Sequence, residues 1–330
     1  MAKKGFGLDN IDAELGAELL NTMQKVEQRL DEVLTQKDFF TNQTSKHLMK
    51  AGGKRVRPML TILSSKFGAT DFNEQDVIDA AVAVELTHLA SLYHDDVMDS
   101  AELRRGTETA HVLWGNNAAI LTGDILFAKA SIIVSALGSE ALGLQSRTFE
   151  RLCLGQLHET IGPQGDEDPH EHYLQVISDK TSSLIAMASE FGAMFSGVDK
   201  DAREILRQYG EKVGTAFQLA DDIIDVTSTK KQSGKNIGTD LREGVPTLPT
   251  LLLRKADDKT AIAAIDADLS SDEALQEAIE VLANHEVTKQ AWDIAYQWAN
   301  DARDILAPLP DNAAKQALQD FAIAVVERDT

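Results

Sequence analysis

A single cysteine, Cys153, leaves this chain no internal disulfide, which sets aside the small stapled folds of secreted proteins and suits a reducing compartment. Only seven prolines and 5% aromatic residues are spread over 330 positions, and runs that alternate apolar with polar are short, so a sheet protein has little support. No Pro/Gly/Ser-rich stretch divides the chain. One domain over residues 1-330 is therefore expected, although the length would allow two. Positive charge is short as well. Against 32 Lys plus Arg stand 53 Asp plus Glu, and the net charge of −21 repels nucleic acid and anionic lipid, so neither is expected as a partner. The most apolar stretch, Ala118 to Leu137, is interrupted by Asp124 and Lys129, so no membrane span is expected and the chain reads as cytoplasmic. No signal peptide precedes the triplet Asn42-Gln43-Thr44, which is then only a chance match to a glycosylation sequon.

What the chain has is helical period. Leu15, Leu19, Met23, Val26, Leu30 and Val33 recur at spacings of three and four, and similar patterns run throughout a sequence that is 43% apolar. An all-α fold follows. The tail after about Ala256 reads as amphipathic helices, one opened by Ser270 and Glu273 as a capping box, with packing and no catalysis as its role. His158, His170 and His172 flank a loop from Gly162 to Pro169, with a spacing that fits no common zinc ligand set.

Against this background the pattern D-D-x-x-D occurs twice, at Asp95-Asp96-Val97-Met98-Asp99 and at Asp221-Asp222-Ile223-Ile224-Asp225. Each copy ends an apolar helical segment, where residues four apart stack on one face, so Asp95 pairs with Asp99 and Asp221 with Asp225. One such run is an ordinary solvated helix end. Two runs of hard oxygen ligands, without cysteine or a compact histidine set, favour Mg²⁺, which completes its shell with water and substrate phosphates. The basic residues are concentrated to match. Gly52-Gly53-Lys54-Arg55-Val56-Arg57-Pro58 opens a helix whose first turn suits Pro58, and cations beside free N–H groups at a helix start suit a phosphate. It is not a P-loop, because the required glycine and lysine spacing is absent. Arg104-Arg105-Gly106 follows the first acidic run directly.

In order, G-G-K-R-V-R-P, E-L-T-H-L-A-S-L-Y-H-D-D-V-M-D, R-R-G, D-K-T at Asp179 to Thr181, F-Q-L-A-D-D-I-I-D and G-K-N-I-G-T-D resemble the signature of trans-polyprenyl diphosphate synthases over about residues 45 to 253. The resemblance implies an all-α homodimer around a deep cavity, joining isopentenyl diphosphate head-to-tail onto an allylic diphosphate. It implies that Asp95, Asp96, Asp99, Asp221, Asp222 and Asp225 bind several Mg²⁺ ions bridged to the allylic diphosphate. Lys54, Arg57 and His88 would hold isopentenyl diphosphate with Arg105 beside them, while Arg104 would contact the allylic diphosphate. Lys180, Thr181 and Gln218 would line the allylic site near the breaking C–O bond, Lys235 would neutralise further phosphate charge, and Asp240 resembles the family's acid just beyond it. The released diphosphate would take the proton; His94, beside Asp95, reads as a residue that orients its neighbours. One position departs from the pattern, for Val245 stands where many members carry lysine, and Arg242 or a neighbouring lysine is a candidate substitute.

The same resemblance makes product length a matter of bulk before the first motif. Ala90 and Ser91 are small there, as are Thr87 and Val84 on the same face, so a growing chain should pass to a floor among Phe127, Ile132 and Ile133. A medium-to-long product of about seven to ten isoprene units, for a quinone or other lipid side chain, is the expectation; a C20 product is the alternative. Two further readings are a non-catalytic subunit of a heteromeric synthase and a terpene cyclase, which has no need for Lys54, Arg57 and His88. Release of so apolar a product points to transient contact with a membrane or a downstream prenyltransferase.

Overall fold

The computed structural model describes residues 11–227 and 237–328, and the fold is all-α. Helix α1 (Ala13–Leu34) begins where the Asp12 carboxylate accepts from the Glu14 and Leu15 N–H groups, and it buries Leu15, Leu19, Val26, Leu30 and Leu34. Two further helices, α2 (Phe39–Lys50) and α3 (Val56–Ser65), lead to α4 (Glu74–Met98), which is buried on nearly every side from Val77 to Tyr93. That all-round apolar surface makes α4 the centre of the fold. Ion pairs Lys25–Glu74 and Arg29–Asp79, at 2.7 and 2.8 Å, tie it to α1. The Tyr93 hydroxyl donates to the Thr44 carbonyl at 2.5 Å and accepts from the Leu48 N–H at 3.2 Å, fixing α2 against α4.

A two-residue hairpin, β1 (Leu103–Arg104) with β2 (Thr107–Glu108), follows α4, and Arg105 and Gly106 at its tip both have positive φ, as a tight I′ turn requires. After α5 (Ala110–Trp114), helix α6 (Asn116–Leu137) packs on α4 through Ala119, Leu126, Ala130 and Val134. Its Gly123 admits the His94 ring, which a Cβ would meet at 2.3 Å. His94 Nε2 in turn lies 3.0 Å from the Ile120 carbonyl, so this histidine joins the two helices. By length and composition alone α6 could cross a membrane, a test that core helices also pass, and a third of its apolar window is buried inside the fold.

Helix α7 (Ser139–Ile161) returns alongside α6, and α8 (Pro169–Ile177) runs through a π-helical turn (Ser178–Ser182) into α9 (Ser183–Phe195). The 28-residue α10 (Lys200–Thr227) packs on α9. The remaining helices are α11 (Thr239–Glu243), α12 (Leu248–Ala256), α13 (Lys259–Ile265), α14 (Asp272–Asn284), α15 (Glu286–Ile305) and α16 (Ala313–Glu327). The Tyr209 hydroxyl donates to the Leu318 carbonyl at 2.8 Å, securing α16 to α10, while Val226, Ile237, Leu253 and Leu282 belong to a second apolar cluster. The cap of α14 is Ser271, whose hydroxyl accepts from the Ala274 N–H, one residue later than the sequence reading placed it; Ser270 instead turns toward Asp268.

Candidate active site

Both acidic motifs stand at the C-terminal ends of long helices, the first on α4 and the second on α10, with no basic residue in either last turn. A helix C-terminus is its negative pole, so carboxylates there are doubly disfavoured unless a cation joins them. Their ionisation reports that strain. Burial, and then Asp99, push Asp95 up to about 6 against the pull of Lys180. Asp99 is raised by burial as well. Burial raises Asp222 to about 8, beyond what its hydrogen bonds from Tyr173 and Gln218 offset, and raises Asp240 to about 6 with Asp225 and Glu243 adding to it. Glu243, itself raised, faces Asp99 and Asp225 together, so the two motifs lie across one gap.

Within each motif the second aspartate turns inward. Asp96 has no exposed surface and accepts from Arg104 Nε at 2.7 Å; its other oxygen has no hydrogen-bond partner among the described residues. Asp222 is buried as well and accepts from the Tyr173 hydroxyl and from Gln218 Nε2, the latter at 2.8 Å. Asp95, Asp99, Asp221 and Asp225 keep open surface toward the gap. Asp240 is half-buried, and its N–H approaches Asp225 Oδ2 at 3.3 Å.

The basic residues form a second pocket beside α4. The N-cap of α3, Arg55, is held in the left-handed region at φ 50°, buried against Glu27 and Glu85 at 2.5 and 3.0 Å. Gly52 and Gly53 supply the positive φ that brings the loop to this point. The hairpin turns Arg105 back so that its guanidinium donates to the Gly52 carbonyl and, at 3.3 Å, to that of Leu48. Arg57 is lowered to about 10 by burial, and its Nε has no hydrogen-bond partner among the described residues. His88, one turn before Ser91 on α4, is pushed well below the ordinary imidazole range by burial and by Arg57, Arg105, Arg104 and Arg55. It is therefore neutral, able to donate to an anion without adding charge. Lys54 is exposed at the mouth of the loop.

Between the acidic helices lies the π-helical turn, which presents Lys180 and Thr181, both half-buried. Lys180 Nζ is bonded to Glu159 of α7, and Asp95 and Asp99 raise its affinity for the proton further. Thr181 Oγ1 donates to Gln218 Oε1 at 3.0 Å, and Gln218 continues to Asp222, so the turn is linked to the second motif. Lys235 lies outside the described residues.

Several sequence expectations are corrected here. The tail was expected to stay out of the site, yet Arg328, its side chain 5% exposed, donates to Asp221 Oδ1 at 2.6 Å and to the Phe217 carbonyl at 2.9 Å while stacking 3.8 Å over the Phe217 ring. Arg242, the candidate substitute near Val245, has its Nη2 on Asp272 at 2.6 Å in an exposed ion pair. Ile132 is 69% exposed and closes nothing within the fold, for it lies on the face of α6 opposite Ala130 and Val134. Phe127 packs at a tilt against Phe149, ring centroids 4.2 Å apart, and lies 5.8 Å from the ring of His94, the residue before the first motif. Ala90 and Thr87 are wholly buried in the core, and Ser91 is half-buried. Glu159, Tyr173 and Arg328 escaped the sequence reading, being single charges or hydroxyls far along the chain from the motifs they serve.

The donor set fits Mg²⁺ completed by substrate. Among the described residues no three acidic or histidine groups converge on one point, as a closed protein cage would require, while hard carboxylates with raised proton affinity line both sides of the gap. Such a site leaves coordination positions for water and phosphate.

Comparison with known proteins agrees. Residues 40–282 match the polyprenyl synthetase family. The chain is 43% identical over 325 residues to the nonaprenyl diphosphate synthase of Mycobacterium tuberculosis, covering 98% of this chain and 97% of that one. Among solved structures it resembles the geranylgeranyl pyrophosphate synthase of Corynebacterium glutamicum, complexed with calcium and isoprenyl diphosphate, at 41% identity and a TM-score of 0.84, with 96% of this chain and 98% of that chain covered. It also resembles the heptaprenyl diphosphate synthase of Staphylococcus aureus at 34% identity and a TM-score of 0.86, covering 94% of this chain and 99% of that one. The chain belongs to the polyprenyl synthetase family and is a prenyltransferase.

Proposed function

We propose that this enzyme condenses isopentenyl diphosphate with an allylic diphosphate, Mg²⁺-dependently, to a medium-to-long all-trans polyprenyl diphosphate. The observation that carries the reading is the single gap onto which both acidic helix ends, Lys180 and Asp240 open. Bound Mg²⁺ stabilises the negative charge of the leaving diphosphate. Asp95, Asp99, Asp221 and Asp225 would hold it directly, while Asp96 and Asp222 fix the helix ends through Arg104 and through Tyr173 with Gln218. Lys180 and Arg104, with Lys235, bind the allylic diphosphate. The oxygen dipoles of Thr181 and Gln218 face the cation that develops as the C–O bond opens. Lys54, Arg57, neutral His88 and Arg105 hold isopentenyl diphosphate so that its double bond attacks, and the departed diphosphate removes the proton.

The name of the M. tuberculosis relative and the small side chains of Ala90, Ser91 and Thr87 before the first motif support a product of about seven to ten isoprene units. The C. glutamicum structure, named for a C20 product, keeps that length as the second reading. All six motif aspartates are present, which argues against a non-catalytic subunit. The protein works as a single-domain homodimer. Exposed Ile120, Leu121 and Ile132 of α6 with Phe149, Leu154 and Leu157 of α7 make an apolar face that a second copy would cover. Its place is the cytoplasm, with transient membrane contact for product release. Incubation with Mg²⁺, isopentenyl diphosphate and farnesyl diphosphate, then chromatography of the dephosphorylated products, tests this. A ladder ending at seven or more units is expected. A stop at C20 would refute the length, and no condensation would refute the activity.

A further inference from the structure

Three residues spaced by four on one face of α7, Arg151, Gly155 and Glu159, each meet the π-helical turn in a different way. Arg151 grips its start, with Nε donating to Asp179 Oδ1 at 2.7 Å and Nη2 to the Ser178 carbonyl and hydroxyl at 3.0 and 2.9 Å. Gln175 Nε2 donates to the other Asp179 oxygen at 2.7 Å, and Glu211 of α10 accepts from Arg151 Nη1 at 2.5 Å. The D-K-T aspartate is thus consumed in anchoring. Gly155 lets the turn's backbone approach, since a Cβ there would lie 2.8 Å from the Lys180 nitrogen and 3.1 Å from Asp179 Cβ. On the opposite side Gly214 of α10 admits Ser182, whose Cα a Cβ would meet at 2.7 Å. Glu159 then bonds the Lys180 ammonium as it leaves the turn.

A π-helical turn is unfavourable in isolation and persists where its surroundings over-determine it. Lys180 raises a second difficulty. Its long flexible side chain faces Asp95 and Asp99, and with no other acceptor it would pair with the carboxylates that the metal needs. We propose that the stripe Arg151–Gly155–Glu159 is the positioning device of this active site. Arg151 and Gly155 set the height of the turn, and Glu159 holds Lys180 clear of Asp95 and Asp99 and aimed at the diphosphate. This rests on the reading that Lys180 contacts the allylic diphosphate.

The test is a double-mutant cycle on the full-length enzyme, with kcat and the Mg²⁺ concentration for half-maximal rate as readouts. Lys180→Ala is expected to lower kcat about a hundredfold and Glu159→Ala about tenfold, with the double variant no worse than Lys180→Ala alone. Glu159→Ala should also raise the Mg²⁺ requirement, and only when Lys180 is present to compete; Glu159→Asp should restore part of both losses. Gly155→Ala, checked for folding by circular dichroism, should lower kcat while leaving KM for isopentenyl diphosphate unchanged. Multiplying losses in the double variant would overturn the inference. So would a raised Mg²⁺ requirement for Glu159→Ala in the Lys180→Ala background, which would make Glu159 a metal ligand, or an unchanged kcat for Gly155→Ala. A wild-type rate for Lys180→Ala would instead remove the assigned role of Lys180 and the purpose of the stripe with it.

Discussion

The two acidic motifs read alike in sequence, yet their inner aspartates are supported in opposite ways. Asp96 meets a full positive charge, Arg104, delivered by the hairpin that follows its own helix. Asp222 meets only the neutral Tyr173 hydroxyl and Gln218 amide, contributed by α8 and by α10 itself. Burial pushes both carboxyls up, but at Asp96 the Arg104 guanidinium opposes the rise, whereas the neutral donors around Asp222 leave it at about 8, protonated until a cation arrives. The difference extends along the helices. At four and five residues before the first motif stand Ser91 and Ala90; before the second, the corresponding pair is Phe217 and Ala216, with Phe217 covered by Arg328. The first helix carries small side chains where the second carries an aromatic ring, so the proposed product path would run on the α4 side.

Breaking either motif on its open face should have the largest effect. Asp95→Ala or Asp221→Ala is expected to lower kcat by about two orders of magnitude or more, measured at saturating Mg²⁺. Equal rates to wild type in both would remove the metal assignment. The inner aspartates separate the motifs by sign. Melted without divalent metal, Asp96→Asn should lose about 1–3 kcal/mol because Arg104 is left without its partner. Asp222→Asn should instead gain stability at pH 8. The reason is that Asp222 titrates near 8 in the fold against an ordinary value of 3.8, so the folded state is penalised progressively as pH rises through that interval. The gain should shrink toward pH 4, and a loss of stability at pH 8 would contradict the contrast.

The chain path is sharpened by a paired substitution. Ala90→Phe should shorten the product while condensation continues, and Phe217→Ala should leave product length unchanged; the product ladder reads both. The smallest effect concerns the support beneath the first motif. Tyr93→Phe removes the donor to the Thr44 carbonyl and the acceptor for the Leu48 N–H, and is expected to cost about 1–3 kcal/mol in urea unfolding with little change in kcat.

Much of this was legible from the sequence because the motifs are local. An acidic run behind an apolar helix, a glycine-flanked basic run and the period of α1 are each contained within one or two elements, so spacing alone reports them. Supporting residues are not local. Arg328 lies 107 positions after Asp221, and Glu159 reaches Lys180 from a separate helix, so neither stands out in a chain rich in charge. The misplacement of Ile132 has a different origin: period identifies an apolar helix, but which face meets the core depends on how α6 is rotated against α4. The assignment of no site role to the tail failed for the first reason, since one arginine beyond a packing helix carries the contact.

The central claim is that both motifs and Lys180 serve one diphosphate across one gap. A crystal structure with Mg²⁺, isopentenyl diphosphate and an unreactive thiolo analogue of the allylic diphosphate tests it most directly. The account predicts metal bridging the analogue to Asp95 and Asp99 on one side and to Asp221 or Asp225 on the other, with Lys180 on the same diphosphate and Arg57 and His88 on the second substrate. A diphosphate bound to one motif alone, with Lys180 not touching it, would contradict the account.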